Sequence, residues 1–452
     1  MSSGKQQNSL QVSESYRQIL QIALPISFSI LVPQFNFIAN NIFLGHYSQE
    51  ALAAASITGI FYLIFAMIGF GLNNGLQTLI ARRAGENRPE EVGKLFGQGI
   101  YISLCIAGIG ILITWFLSPY ILRSVLHSST IANEAIGYLQ IRIWGLPFLY
   151  IYQMRNALLV GTNNSKFLIY GAFAEAITNI IFDYLFIFGH FGFPELGFNG
   201  AAVSSIIAEF TGMFVIFLVI HQTGISQRFA LFKHLRWNKK LSGLLLRISS
   251  PIILQLAASI ISWEFFYILI EHHGETPLAI SNVMRNIFGL TGCITWAFAA
   301  TCATVVSNII GQNKQDKVRE VIKKIVRISV GSALVLAILV NIFPGVFISI
   351  FGQPAGFVEE AIPVVRVVTV AMVLMPFATT WLYGVTGTGN TRITLIIEII
   401  AIIFYSVFVY LVLEYFNLSI TIGWMGEWVY WTVILLLARW YILKGHWQLK
   451  KI

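Results

Sequence analysis

The chain has 452 residues, of which 56% are hydrophobic and 11% charged, with a formal net charge of +9 and a mean hydropathy of +0.74. So few charges cannot cover the surface of a water-soluble protein of this size, so a lipid bilayer must be the solvent for most of the chain. The apolar runs, such as residues 100–117, are continuous and helix-length, whereas the strands of a membrane barrel would alternate apolar and polar residues. The composition therefore predicts an all-α membrane protein.

About twelve transmembrane helices are predicted, each with about 20 or more largely apolar residues. The spans of the first half lie near 16–44, 51–80, 95–120, 135–158, 167–190 and 200–221. Those of the second half lie near 244–270, 277–310, 325–351, 361–386, 393–416 and 422–443. The polar residues 1–14 lead into the first span without a small-residue cleavage site, so we do not expect a cleaved signal peptide.

Lysine and arginine residues lie mostly on one side of these spans. That side includes the stretches 81–94, 228–240 and 314–324, whereas the opposite loops hold Arg123 and several glutamates, such as Glu195. Positive residues concentrate on the cytoplasmic side of membrane proteins, so both termini are predicted to be cytoplasmic. The basic residues of these cytoplasmic loops account for the positive net charge. We therefore do not read the charge as a nucleic-acid-binding surface, and we expect no nucleic-acid partner.

The cysteines and histidines do not indicate a disulfide, a metal site or an organic cofactor. Cys105, Cys293 and Cys302 all lie inside apolar segments, and the eight histidines lack metal-ligand spacing. The expected partners are the lipid bilayer and a small-molecule substrate, and we expect a monomer.

An internal repeat becomes visible when the sequence is shifted by 226 residues, half its length. The matched pairs, in four separate regions without a gap, include Pro25 and Pro251, His46 and His272, Thr78 and Thr304, Gly85 and Gly311, Asn87 and Asn313, Gly161 and Gly387, and Asn164 and Asn390. Six spans per repeat give both halves the same orientation. We therefore predict a six-helix N-lobe at 1–222, a basic cytoplasmic linker at 223–243 and a six-helix C-lobe at 244–452, around a central cavity. Duplicated halves of this kind are typical of alternating-access transporters.

Several motifs resemble those of the multidrug and toxic compound extrusion (MATE) family. They are ALPIS (23–27), the paired loops ARRAGENRPEEV (81–92) and SNIIGQNKQDKV (307–318), the pair LVGTNNSK (159–166) and VTGTGNTR (385–392), and NIIFDYLFIFG (179–189) followed by GFNGAAVSS (197–205). Their order and spacing cover essentially the whole chain, and the DinF-like branch is more similar than the NorM-like branch. The resemblance implies export of amphipathic, often cationic, organic compounds, driven by inward movement of Na⁺ or H⁺. It also implies that the first helix bends near Pro25, which would then act as a hinge.

Three polar residues on the fifth span form the clearest candidate site. Glu175, Asn179 and Asp183 follow an i, i+4, i+8 spacing, which places them along one side of a helix. Their repeat partners, Ala401, Tyr405 and Val409, lack this pattern, so packing common to both halves does not require it. The first span adds Asn36 and Asn40, and the sixth span begins with Ser204 and Ser205.

Two kinds of cation binding fit this set of side chains. Carboxylate, amide and hydroxyl oxygens can converge on Na⁺ as hard ligands, and a carboxylate in a desolvated site can take up a proton near neutral pH. A polar network that only holds helices together is the alternative reading.

The family resemblance assigns further roles to these positions. DinF-like members combine a first-span aspartate with a fifth-span Asn-x-x-x-Asp pair, which Asn179 and Asp183 match. The first-span position aligns with Asn40, an amide without the charge of the family's aspartate. The resemblance implies that Na⁺ would bind at Asp183, Asn179 and Asn40. We expect Glu175 to supply the charge that Asn40 lacks. The second-half carboxylates that the NorM-like branch uses, on the seventh and tenth spans, have no match at the same spacing.

Other charges lie at membrane depth, where an unpaired charge is costly. Arg142, Arg285 and Arg366 are expected to pair with Glu209, Glu264 or Glu398.

Three other functions stay open at this point. A lipid-linked precursor flippase of the same superfamily would carry a basic cavity in its second half, and another two-halved secondary transporter would share the repeat but not the motifs. An intramembrane enzyme would need a catalytic histidine, such as His127, His190, His272 or His273 near the outer loops, but no nucleophile or phosphate-binding glycine loop accompanies them.

Overall fold

The structure is a computed structural model that describes residues 10–126, 128–233, 236–349 and 355–449, so His127 lies outside the described residues. The α-helices are α1 (Tyr16–Tyr47), α2 (Gln49–Gly85), α3 (Pro89–Val125), α4 (Ser129–Arg142), α5 (Leu146–Gly161), α6 (Leu168–Phe188), α7 (Phe198–Gln222), α8 (Ile225–Arg228), α9 (Lys239–Glu271), α10 (Glu275–Gly311), α11 (Val318–Ile342), α12 (Pro344–Ser349), α13 (Ala355–Gly387), α14 (Thr391–Tyr410), α15 (Ile420–Gly423) and α16 (Gly426–Lys444). Eleven segments in this part of the chain are long and apolar enough to cross a membrane. The predicted all-α membrane fold is thereby confirmed.

Twelve spans were predicted and eleven are found in the described chain, because the predicted fourth span, 135–158, is interrupted. It is divided into α4 and α5 by a short 3₁₀ turn, Ile143–Gly145, and Pro147 stands in the first turn of α5. Proline has no N–H to donate and favours the first turn of a helix, which agrees with the start of a new helix at this point. Neither piece alone is long enough to be counted as a membrane-spanning helix.

Three spans of the second half also end in irregular turns. The predicted span 325–351 is α11 followed by the short α12, which begins at Pro344. Helix α14 continues into a π-helical turn, Leu411–Tyr415, and the last span is divided into α15 and α16. These breaks lie near the ends of the predicted spans, where a sequence pattern is least informative.

The described chain forms two compact units. One consists mainly of Phe28–Ser249, and the other of Gln11–Ser27 together with Ser250–Ile452. The chain therefore passes from one unit to the other inside α1, two residues after Pro25, and again inside α9, at the residue before Pro251. These two prolines are 226 residues apart, as the predicted repeat requires.

The segment predicted as a linker, 223–243, is folded against α3 in the first unit, apart from residues 234 and 235, which lie outside the described chain. Gln98 donates from Nε2 to the Arg236 carbonyl oxygen at 2.8 Å, and its Oε1 accepts from the Asn238 amide at 2.9 Å and the Ser242 hydroxyl at 2.8 Å. The lobe boundaries 1–222 and 244–452 stay predictions.

The backbone repeats with the same 226-residue register as the sequence. Asn87 and Asn313 both adopt a positive φ, at 57° and 62°, and Asn163 and Gly389 do so at 62° and 87°. Asparagine and glycine are the residues that tolerate this left-handed region. The loop after the second span therefore has the same backbone turn as the loop after the eighth. The loop after the fourth span likewise matches the loop after the tenth.

Two repeat-related glycines allow helices to touch closely within each unit. A Cβ atom on Gly161 would lie 3.1 Å from the Gln77 carbonyl oxygen, and one on Gly387 would lie 2.6 Å from the Ala303 carbonyl oxygen. Gln77 and Ala303 are themselves 226 residues apart, so the same contact between the same pair of helices recurs in both units.

We expect Gly387→Ala to destabilise the protein by about 1–3 kcal/mol, because the new methyl group would overlap backbone that cannot move alone. The thermal unfolding midpoint of the purified protein in detergent should fall. Gly331→Ala in α11 is the control, since its Cβ would meet nothing within 4 Å and alanine is the better helix former. An equal effect of both substitutions would contradict the close-approach explanation.

Candidate functional site

Helix α6 presents one buried stripe that contains both apolar and polar residues. Ala172, Ala176, Asn179, Asp183 and Ile187 recur at intervals of three or four and are all buried. Such spacing places them on one face of the helix. The small residues Ala172 and Ala176 at the start of the stripe allow another helix to come close. Asn179 and Asp183, further along the same face, are buried as well.

Helix α7 lies along this stripe and supplies its hydrogen bonds, and α1 contacts α6 near both ends of the stripe. Val32 packs against Ala172 and Ala176, and the Phe43 and Phe188 rings contact edge to face with centroids 6.2 Å apart. The two contacts follow the same order along both helices, so α1 and α6 run in the same direction here. The two contacts therefore define which residues of α1 lie beside which residues of α6.

The predicted first-span amides lie between these two contacts. Asn36 and Asn40 follow Val32 at steps of four residues, and Asn179 and Asp183 occupy the corresponding stretch of α6. With a rise of about 1.5 Å per residue, Asn36 is level with Asn179 and Asn40 with Asp183. Residues more than 140 positions apart in the sequence therefore lie at similar heights on two helices of one unit.

Asp183 is fully buried, with 0% of its surface exposed. Its Oδ1 accepts a short hydrogen bond from the Ser204 hydroxyl, whereas Oδ2 has no partner among the described residues. None of the ion pairs in the described chain involves this carboxylate. A buried acid without a counter-charge is costly unless it binds a cation or a proton.

The surrounding oxygens are also incompletely satisfied. The Asn179 side chain donates from Nδ2 to the Ser205 hydroxyl at 3.5 Å. On α1, the Oδ1 atoms of Asn36 and Asn40 are buried and have no hydrogen-bond partner within the described part of the chain. Lone pairs of carboxylate and amide oxygens are what a hard cation requires. The sequence placed Ser204 beside this site without a role, and the structure shows it as the direct partner of Asp183.

Glu175 lies apart from this pair. Glu175 is half-buried on α6 and packs against Gly212 of α7. A Cβ atom added to Gly212 would lie 3.2 Å from the Cβ atom of Glu175. Eight residues separate it from Asp183, which is about 12 Å along the helix axis. One ion cannot be coordinated by both carboxylates. The predicted replacement of the first-span acid by Glu175 would therefore have to act through the field of its charge or by proton exchange.

A buried ion pair lies in the same unit, and it confirms one expectation from the sequence. Arg142 Nη2 lies 2.5 Å from Glu209 Oε1, and Nη1 lies 2.9 Å from Oε2. The guanidinium stacks 3.8 Å from the centre of the Tyr62 ring, and the Tyr62 hydroxyl donates to Glu209 Oε1 at 3.1 Å. Tyr62 was not predicted, because a tyrosine in an apolar span carries no signal of its own.

The other two embedded arginines form no ion pair within the described residues. The Arg285 guanidinium lies over the rings of Trp263 and Tyr267, at 5.8 and 5.4 Å from their centres. Glu398 is hydrogen bonded to Gln255 instead of an arginine. The expected pairing of Arg285 and Arg366 with an acid was therefore wrong within the described residues. Aromatic faces stabilise the Arg285 charge, whereas Arg366 and Glu264 are exposed.

Two sequence-related halves, each built of long apolar helices, define a polytopic membrane protein. The family model MatE matches residues 25–185 and again 251–411, two stretches that begin and end 226 residues apart. Together they cover more than half of the chain, so this protein belongs to the MatE family, and its internal repeat is confirmed. Members of the family are transporters, so the enzyme alternative is wrong.

Known relatives agree with this assignment. The chain is 23% identical over 424 residues to a probable multidrug resistance protein NorM of Thermotoga maritima. The aligned region covers 92% of this chain and 89% of the relative. It is also 23% identical over 303 residues to a probable multidrug resistance protein YoeA of Bacillus subtilis, over 66% of this chain and 65% of that protein.

Solved structures show the same fold. A MATE crystal structure in complex with MaL6 matches with a TM-score of 0.88 at 19% identity, over 98% of this chain and 99% of that one. A transporter of the MOP superfamily from Pyrococcus furiosus also matches with a TM-score of 0.88, at 18% identity, over 97% of this chain and 99% of that chain.

Proposed function

We propose that this protein is a multidrug efflux transporter that exports amphipathic organic cations from a bacterial cytoplasm in exchange for Na⁺ or H⁺ bound at Asp183. The observation that carries the proposal is the buried Asp183 carboxylate with one unpartnered oxygen. Relatives described as multidrug resistance proteins support the class of substrate. The pair of Asn179 and Asp183 supports placement near the DinF-like branch.

Exchange follows if substrate and cation favour opposite conformers. A ligand shifts a two-state equilibrium only by its difference in affinity for the two states. Oxygens that converge on a cation in one conformer and separate in the other supply such a difference. Structural neighbours are known in outward-facing, straight and bent conformations, which supports a cycle between states. Within α1, Pro25 is the proposed hinge, because a proline in a helix leaves a backbone carbonyl unpaired.

The charges on α6 support a cationic substrate. Its two acids, Asp183 and Glu175, have no ion-pair partner among the described residues. On the neighbouring helices Arg142 is neutralised by Glu209, and Arg155 donates to the Met213 carbonyl oxygen, so one negative charge is left in excess. An organic cation gains from this field, whereas an anion is repelled by it.

Reconstituted efflux tests the function. Proteoliposomes that contain the purified protein should export a fluorescent, ethidium-like cation when a Na⁺ gradient or a pH gradient is imposed alone, and only one of the two should suffice. Anionic amphiphiles are the matched control. Transport of the anions alone would contradict the proposal and support the flippase alternative, and transport of neither compound under either gradient would also contradict it.

We further propose that both termini and the basic loops are cytoplasmic. In a cysteine-free background that lacks Cys105, Cys293 and Cys302, we expect Glu195→Cys to react with an impermeant thiol reagent added outside intact cells. We expect Lys240→Cys to be protected until the membrane is opened. Both positions are solvent-exposed in the structure, so the difference reports sidedness and not burial. The reverse labelling pattern would overturn the orientation.

A further inference from the structure

A second group of buried acids lies in the other unit, on helices that are the repeat counterparts of α6 and α7. Glu398 on α14 is 3% exposed and Glu427 on α16 is 1% exposed. Their own repeat positions, Ala172 and Ala201, are apolar, so the acids are not inherited from packing common to both halves. Cation binding at Asp183 uses neither acid.

Neutral hydrogen-bond donors hold the Glu398 carboxylate from two sides. Gln255 of α9 donates from Nε2 to Oε2 at 3.2 Å, and Tyr430 of α16 donates a short hydrogen bond to Oε1. The Tyr430 hydroxyl in turn lies 3.4 Å from the Ser259 hydroxyl. Three helices of this unit therefore converge on a single carboxylate.

Glu427 is held less completely. Trp431 Nε1 donates to its Oε2 at 2.9 Å, while Oε1 has no hydrogen-bond partner among the described residues. The Tyr405 hydroxyl and the Trp263 side chain are further donors that lie beside the same carboxylate. Tyr405 is 1% exposed. The Tyr405 and Tyr430 rings are 5.7 Å apart, so the two tyrosines connect the two acids.

No cation in the described part of the chain forms an ion pair with either acid. None of the ion pairs formed by described residues includes Glu398 or Glu427. The titratable groups that face them from α9, α13, α14 and α16 are Tyr267, Tyr383, Tyr405 and Tyr430. Arg285 and Glu264 lie beside Tyr267. A tyrosine is neutral near pH 7, so two unpaired negative charges would remain here at a large cost.

We propose that Glu398 and Glu427, linked by Tyr430 and Tyr405, form a second proton-binding site, in the half of the protein that lacks Asp183. A proton removes the cost of each buried charge. A metal ion fits less well, because Gln255, Tyr430 and Trp431 all direct hydrogens toward the carboxylates and leave few lone pairs for it. Rotation of the Gln255 amide allows it to donate to the carboxylate and to accept from the acid, so both protonation states can be hydrogen bonded.

Infrared difference spectroscopy of the purified, lipid-reconstituted protein tests the site, with no need for transport. A carbonyl stretch of protonated carboxylic acids should be present at pH values where exposed carboxyl groups, with a pKa of about 4.3, are already ionised, and it should disappear at alkaline pH. Part of this signal should vanish in Glu398→Gln and another part in Glu427→Gln, whereas Glu360→Gln, an exposed acid on α13, should leave it unchanged. Glu398→Asp should shift the band without removing it, which keeps the test decisive if the glutamine variant fails to fold.

The expected signal should be the same in Na⁺-free and Na⁺-rich buffer, and it should persist in Asp183→Asn. Persistence there separates this site from the proposed function, which stands or falls on Asp183. The proposal would be overturned by a carbonyl band that Na⁺ abolishes, by a band that does not titrate at all, or by titration that both glutamine variants leave intact.

Discussion

Asp183→Asn is expected to abolish gradient-driven efflux while the protein still folds and inserts into the membrane. The amide has nearly the shape of the carboxylate and can still accept from Ser204, so the packing between α6 and α7 is kept. It carries no charge and takes up no proton, so a coupling cation loses its anionic ligand. The measurement is efflux of a fluorescent cation from proteoliposomes under the gradient that drives the wild type.

Asp316→Asn is the matched control, because Asp316 is an exposed aspartate in the loop between α10 and α11. It should transport at the wild-type rate. Full activity of Asp183→Asn, at equal amounts of folded protein, would reduce the cluster to a structural network.

Glu175 and Asn40 allow the charge replacement to be tested separately. We expect Glu175→Gln to impair coupling, because it removes the other unpaired acid of α6. Asn40→Asp in that background should restore part of the transport, since Asn40 is level with Asp183 on the neighbouring helix. Wild-type transport by Glu175→Gln would retain the site at Asp183 and discard the role of Glu175.

Arg142→Met is expected to cause the largest loss of stability, about 3–5 kcal/mol, because it leaves Glu209 as a buried charge without its partner. Tyr62 would also lose the cation that stacks on its ring. The midpoint of thermal unfolding in detergent should fall markedly. In the double variant with Glu209→Met, most of that loss should be recovered, since no buried charge then remains.

Arg123→Met is the control for this pair, as Arg123 is exposed near the end of α3. It should leave the unfolding midpoint almost unchanged. If the double variant were as unstable as Arg142→Met alone, the loss would come from packing of the long side chain, and the ion-pair explanation would fail.

The internal repeat shows how far local information extends. Pro25 and Pro251, or Asn87 and Asn313, lie in segments whose length and register are visible without any knowledge of packing. The structure repeats the same loops and the same glycine contacts at Gly161 and Gly387. The break at 143–145 was not predicted, because Pro147 is equally compatible with a bent helix and with a new one.

The sequence by itself determined that this is a two-fold repeated helical membrane protein with Asn179 and Asp183 on one helical face, because both hydropathy and spacing are local properties. Only the tertiary structure decided that Ser204 holds Asp183, that Glu209 is the acid with which Arg142 pairs, and that Glu398 and Glu427 share one unit with tyrosines. The physical reason is the solvent. In a bilayer the lipid-facing and the core-facing sides of a helix are both apolar, so the periodicity that reveals the buried face of a helix in water is lost here.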